Sequence, residues 1–97
     1  MNKKALSKAL KTLEELQNIQ KPKIFIVDYT DGTSEKLTDV TILFNAIKQS
    51  AEREADPDYK AFKKITYKSD KQSKATLGIV TGFLTAAGEP DPEIVEV

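Results

Sequence analysis

The sequence predicts an α+β domain in which a small antiparallel sheet of three or four strands packs on two main helices. Three observations lead there. Residues 24–37, "IFIVDYTDGTSEKL", are rich in β-branched and aromatic residues and broken by Asp-Gly, the pattern of two strands joined by a tight reversal. Residues 4–20 and 38–55 instead repeat apolar residues every three or four positions, which places them on one side of a helix. The expected order is helix, strand, strand, helix, strand, helix, with the last element open to a strand reading. Residues 1–97 read as one domain ending in an acidic tail at 89–97.

In the first helix, Leu6, Ala9, Leu10, Leu13, Leu16 and Ile19 form the apolar stripe. Pro22 disfavours helical geometry at Lys21 and sets the stop. The stripe has no aromatic anchor and Glu14 and Glu15 interrupt the basic face, so the helix is expected to pack on the protein's own sheet rather than on a membrane. In the first strand, Phe25, Val27 and Tyr29 share an apolar face that should meet the helices, opposite Ile24, Ile26 and Asp28. Asp31-Gly32 predicts a type I′ turn, and "SEKL" returns as a short strand with Leu37 rejoining the core. Thr38 or Asp39 is the expected cap of the second helix, whose core face is read as Val40, Leu43, Phe44, Ile47 and Ala51, widened by Ile42 and Ala46. Pro57 cannot continue it.

Residues 62–68 alternate Ile65 and Tyr67 with Lys64, Thr66 and Lys68, a strand pattern; Tyr59 and Phe62 precede it as a short turn. "SDKQSK" holds no apolar residue and is the expected mobile tip. Residues 75–87 are ambiguous. Thr, Ile and Val suit a strand, whereas Ser73 as a cap, Gly88 just past the end and Pro90 beyond it favour a helix. As a helix the segment holds Gly78 and Gly82 in its interior, at about 1 kcal/mol each relative to alanine. Gly78, Gly82 and Ala86 then form a ridge for close approach, including self-association into a homo-oligomer. The tail, with Ile94, Val95 and Val97, is either disordered or a last strand on a sheet edge.

Composition narrows the chemistry. The 97 residues include neither cysteine nor histidine, which removes disulfides, thiolate nucleophiles, Cys/His metal ligands and the usual neutral-pH base. Asp28, Asp31 and Asp39 lack calcium-loop spacing, and no motif joins Asp28, Tyr29, Asp31, Ser34 and Tyr67 into a catalytic constellation. No catalysis, metal or cofactor is expected. No stretch is apolar enough to span a bilayer and no secretory signal is evident, so a cytoplasmic location is expected.

Net charge is zero but segregated: +4 over 1–23, −5 over 24–58, +5 over 59–75 and −4 over 76–97. Such blocks steer encounters with a partner. The basic run Lys60, Lys63, Lys64, Tyr67, Lys68, Lys71 and Lys74 is the candidate contact for nucleic acid or an acidic partner. Glu52, Glu54, Asp56 and Asp58 are the candidate contact for a basic one. Fourteen of the fifteen basic residues are lysine, so bidentate reading of guanine is largely unavailable. The expectation is a non-enzymatic binding module that docks another protein as inhibitor, adaptor or assembly factor, in general appearance like the small accessory proteins of bacteriophages and mobile elements. Non-specific nucleic-acid binding through residues 59–74 is the alternative.

Overall fold

In the computed structural model, which describes residues 3–18, 22–52 and 60–97, the elements run α1 (Lys3–Gln17), β1 (Ile24–Tyr29), β2 (Ser34–Thr38), α2 (Asp39–Glu52), β3 (Phe62–Tyr67), α3 (Lys71–Ala86) and β4 (Glu93–Glu96). Four strands form one sheet in the order β2-β1-β3-β4. The α+β class and the element order are those the sequence predicts, the sixth element taking its helical reading, with one correction. The sheet is mixed, because β4 runs parallel to β3 while β1 pairs antiparallel with both β2 and β3. The third helix joins the two main ones on the helical side. The correction comes from α3: a helix between two strands is the usual way to return a chain parallel to the strand it left.

Phe25, Val27 and Tyr29 are buried and alternate with exposed or half-buried neighbours along β1, so one sheet face meets the helices as expected. Ala9, Leu13 and Leu16 of α1 join Ile42, Leu43 and Ala46 of α2 and Leu77, Val80, Phe83 and Leu84 of α3 in the same core. Each large side chain fully buried there contributes about 1.5–3 kcal/mol. Ile19, also expected in this core, lies outside the described residues. Three residues expected in this core are outside it: Leu10 is 54% exposed and Phe44 59%, and Ala51 is exposed as well. They stand at the margins of their stripes, and packing centred on Ile42, Leu43 and Ala46 turns those margins toward water.

The β1–β2 reversal also differs from its expected form. Tyr29 N–H donates to the Thr33 carbonyl at 2.9 Å and Gly32 N–H to the Tyr29 carbonyl at 3.1 Å. Only Gly32, at φ 89°, adopts positive φ, so the connection is three residues long with glycine in the left-handed position, where a type I′ turn would put Asp31 there too. Asp31 acts through its side chain instead, accepting from the Thr33 amide at 2.9 Å and the Thr33 hydroxyl at 2.6 Å.

The ladder between β1 and β3 slips at Asp28/Tyr29: Asp28 pairs with Lys64 but Tyr29 with Phe62. Lys63 is thus an extra residue, a β-bulge, and it brings Phe62 back to the core face beside Ile65 and Tyr67. Strict alternation had placed Phe62 in a preceding turn. Its ring packs 5.7 Å from that of Tyr29.

Residues 70–74 are not a mobile tip. Asp70, not Ser73, caps α3, its carboxylate accepting from the Ser73 amide at 2.8 Å. The polar run reads as loop because its exposed first turn carries lysines, yet Ser73 itself is buried. Residues 75–87 are helical up to Ala86, and Gly88, at φ 76°, ends them. Gly88 N–H reaches the Thr85 carbonyl at 3.0 Å and Glu89 N–H the Leu84 carbonyl at 2.9 Å, the paired bonds of a glycine-terminated helix. The tail lays down β4 on the sheet edge.

Candidate functional site

Among the described residues no helix covers the second face of the sheet, and its residues follow from the register. Ile26 lies between Lys36 of β2 and Thr66 of β3, and Thr66 lies beside Val95 of β4. Ile24 lies beside Thr38. At the hairpin end, Asp28 sits between Ser34 and Lys64, and Lys64 beside Glu93. Ile24 is 50% exposed and Ile26 41%. The surface therefore has an apolar centre of isoleucines and valine bounded by Lys36 on one side and Lys68 at the end of β3.

The hairpin end is internally neutralised. Lys64 Nζ lies 3.7 Å from Asp28, and the Ser34 hydroxyl donates to the other oxygen of the same carboxylate. Lys60 Nζ is 3.3 Å from Asp31 and 5.6 Å from the centre of the Tyr29 ring, while the Tyr29 hydroxyl donates to Glu35 at 2.7 Å. Burial, then the hydrogen bond to Glu35 and its charge, push the Tyr29 hydroxyl far above its ordinary pKa. The Thr33 hydroxyl and amide hold Asp31 below the ordinary carboxylate value, with Lys60 adding to the effect. These groups serve the turn. A shallow pocket of about 430 Å3 lies beside them, lined by Asp28, Lys63, Lys64 and Glu93, and two of these charges, Asp28 and Lys64, already oppose each other.

The fold divides the candidate basic run. Lys60, ahead of β3, reaches the hairpin turn at Asp31, and Lys63 belongs to the bulge; Lys64 and Lys68 belong to the open sheet face, Lys71 and Lys74 to the exposed side of α3. Tyr67 is 7% exposed and stacks on Phe25 with ring centres 6.3 Å apart, and Phe62 is 3% exposed. Neither ring has a face to offer an unpaired base. The lysines therefore do not form one stripe with interleaved aromatics, because the bulge and the helix start point them to different sides. Of the candidate acidic contact, the side chain of Glu52 and all of Glu54, Asp56 and Asp58 lie outside the described residues.

Sequence reading placed Ile24 and Ile26 opposite the core face without assigning them a role; apolar residues on both faces of one strand were the available signal. It did not identify Lys36, whose place beside Ile26 depends on strand register. Among the described residues, no cluster of three or more acids gathers to hold a metal ion, and no helix is long and apolar enough to cross a membrane. No family model matches the chain, and no curated protein or solved structure shows significant similarity to it.

Proposed function

We propose that this chain is a binding module without chemistry of its own, which docks another protein across the open face of its sheet. The observation that carries the reading is the exposure of Ile24 and Ile26 on a sheet face that no described helix covers. An apolar centre with a charged rim is the usual anatomy of a protein contact. Asp28 and Lys64 oppose each other on this rim, which leaves Lys36 and Lys68 to favour a partner surface with acid beside its apolar centre, and attraction between the two speeds the encounter. The absence of cysteine and histidine from the whole chain favours binding over catalysis.

The test compares capture of partners from a lysate of the source cell by the wild-type chain and by Ile26→Asp and Lys36→Glu/Lys68→Glu. One partner held by the wild type and lost by both variants, with melting temperatures retained, is the expected result. Capture unaffected by either variant rules out this face. A parallel salt titration with mixed-sequence DNA and RNA examines the alternative. Binding that weakens steeply with salt and is lost in Lys63→Gln/Lys64→Gln/Lys68→Gln transfers the reading to nucleic acid.

A further inference from the structure

On the opposite side of the molecule, α3 turns outward a face that water alone does not explain. Lys71, Lys74, Gly78, Gly82, Thr85 and Ala86 are all exposed, and at roughly 100° per residue they share one side of the helix. Solvent-facing helix surfaces ordinarily carry long polar side chains. Beyond Lys74 this one carries nothing larger than threonine. A Cβ placed on Gly78 or Gly82 would meet nothing within 4 Å, so no described element of the chain makes use of the space they leave.

Two further observations concern the same face. A groove of about 550 Å3 runs beside the ridge, floored by Gly78, Ile79 and Gly82 and walled by Lys8 and Thr12 of α1. The two ends of the face also carry opposite charge. Lys71 and Lys74 stand at its N-terminal end. Asp91 stands at its C-terminal end, held by a 3.3 Å hydrogen bond from the Thr85 hydroxyl, where the last carbonyls of the helix add partial negative charge.

We propose that this face is the interface of a twofold homodimer in which the two α3 helices run antiparallel and come closest at Gly78 and Gly82. A twofold axis between those positions sets Gly78 of one copy against Gly82 of the other. It brings the Lys71 and Lys74 end of each helix to the Ala86 and Asp91 end of its mate. The patch is thus complementary to itself, as a twofold contact requires, and the parallel arrangement would stack lysine on lysine. A second copy supplies an acid at one end and lysines at the other in the reversed order needed. Paired glycines let the helix axes approach the short end of the usual 8–10 Å range. The open sheet face stays free, so this inference does not depend on the proposed function.

Sedimentation and light scattering of the full chain test it, from about 1 mM down to about 1 µM, where modest interfaces dissociate. Wild type is expected at twice the chain mass of 10.8 kDa at the upper end. Gly78→Gln and Gly82→Gln fill open space with a better helix former, so the fold and its melting temperature survive while the dissociation constant rises about tenfold or more. Lys74→Glu and Asp91→Lys each weaken the dimer, and the two together restore it. A wild-type chain that stays at monomer mass throughout overturns the proposal, as does a Gln variant that dimerises like the wild type. A charge exchange that restores nothing overturns the antiparallel pairing.

Discussion

Asp39 begins α2 and is 1% exposed, and its carboxylate is where three separate segments meet. It accepts from the Lys23 amide at 2.5 Å, the Gln72 side-chain amide at 3.2 Å and the Thr76 hydroxyl at 3.2 Å. Its place in the first turn of α2 suits an acid, since the amide end of a helix favours negative charge. Asp39→Ala strands these donors and is expected to destabilise the fold by about 1–3 kcal/mol in urea denaturation, with Asp39→Asn, which keeps one acceptor, costing less. An acid at a helix start was legible in the sequence. Its burial was not, because Gln72 and Thr76 arrive from 33 and 37 residues downstream. Asp70 is the half-buried counterpart. The Ser73 amide first, and Lys23 at 3.2 Å second, hold its carboxyl below the ordinary 3.8. A depressed folded-state value contributes stability that is present above 3.8 and disappears as pH falls through the folded value. Wild type should therefore lose melting temperature more steeply than Asp70→Asn between about pH 5 and about pH 2, and equal slopes would refute the assignment.

At the scale of the element, glycines in and just beyond α3 should respond oppositely to the same substitution. Gly88, at φ 76°, ends the helix in a conformation that costs an alanine about 1–2 kcal/mol. Gly78 lies inside the helix in open space, so Gly78→Ala should stabilise the dilute monomer by about 0.5–1 kcal/mol. Thermal melts of the two variants, expected to move in opposite directions, check the pair. The end of α3 was readable because a terminal glycine with proline beyond it is a local signal. Its beginning was misplaced by a few residues because Asp70 and Ser73 are both good caps, and which one holds the free amides depends on where β3 ends. The β3 bulge shows the same limit: period-two alternation reads Ile65 and Tyr67 correctly and fails at Phe62, whose inward turn depends on pairing with β1.

For the whole molecule, the two faces of β1 divide stability from the proposed recognition. Phe25 is fully buried, and Phe25→Ala is expected to cost about 3–5 kcal/mol. Its neighbour Ile26 points to the open face, and Ile26→Thr should change stability by about 0.5 kcal/mol or less while weakening partner capture; equal destabilisation by both would mean that the open face is covered. The candidate surface was only half legible beforehand. Charge segregation was visible, but the lysine run looked continuous because neighbours in sequence look like neighbours in space. In the fold, Lys60 is tied to Asp31, Tyr67 is packed on Phe25, and Lys71 and Lys74 leave on a helix. By itself the sequence determined the α+β class, the order of the first five elements, the inward face of β1 and the point where the sixth element stops, since each follows from spacing or turn chemistry within a few residues. Only the tertiary structure decided the parallel edge strand, the burial of Asp39 and the row that joins Lys36, Ile26, Thr66 and Val95. Those depend on strand register and helix placement, which arise from contacts between residues far apart in the chain.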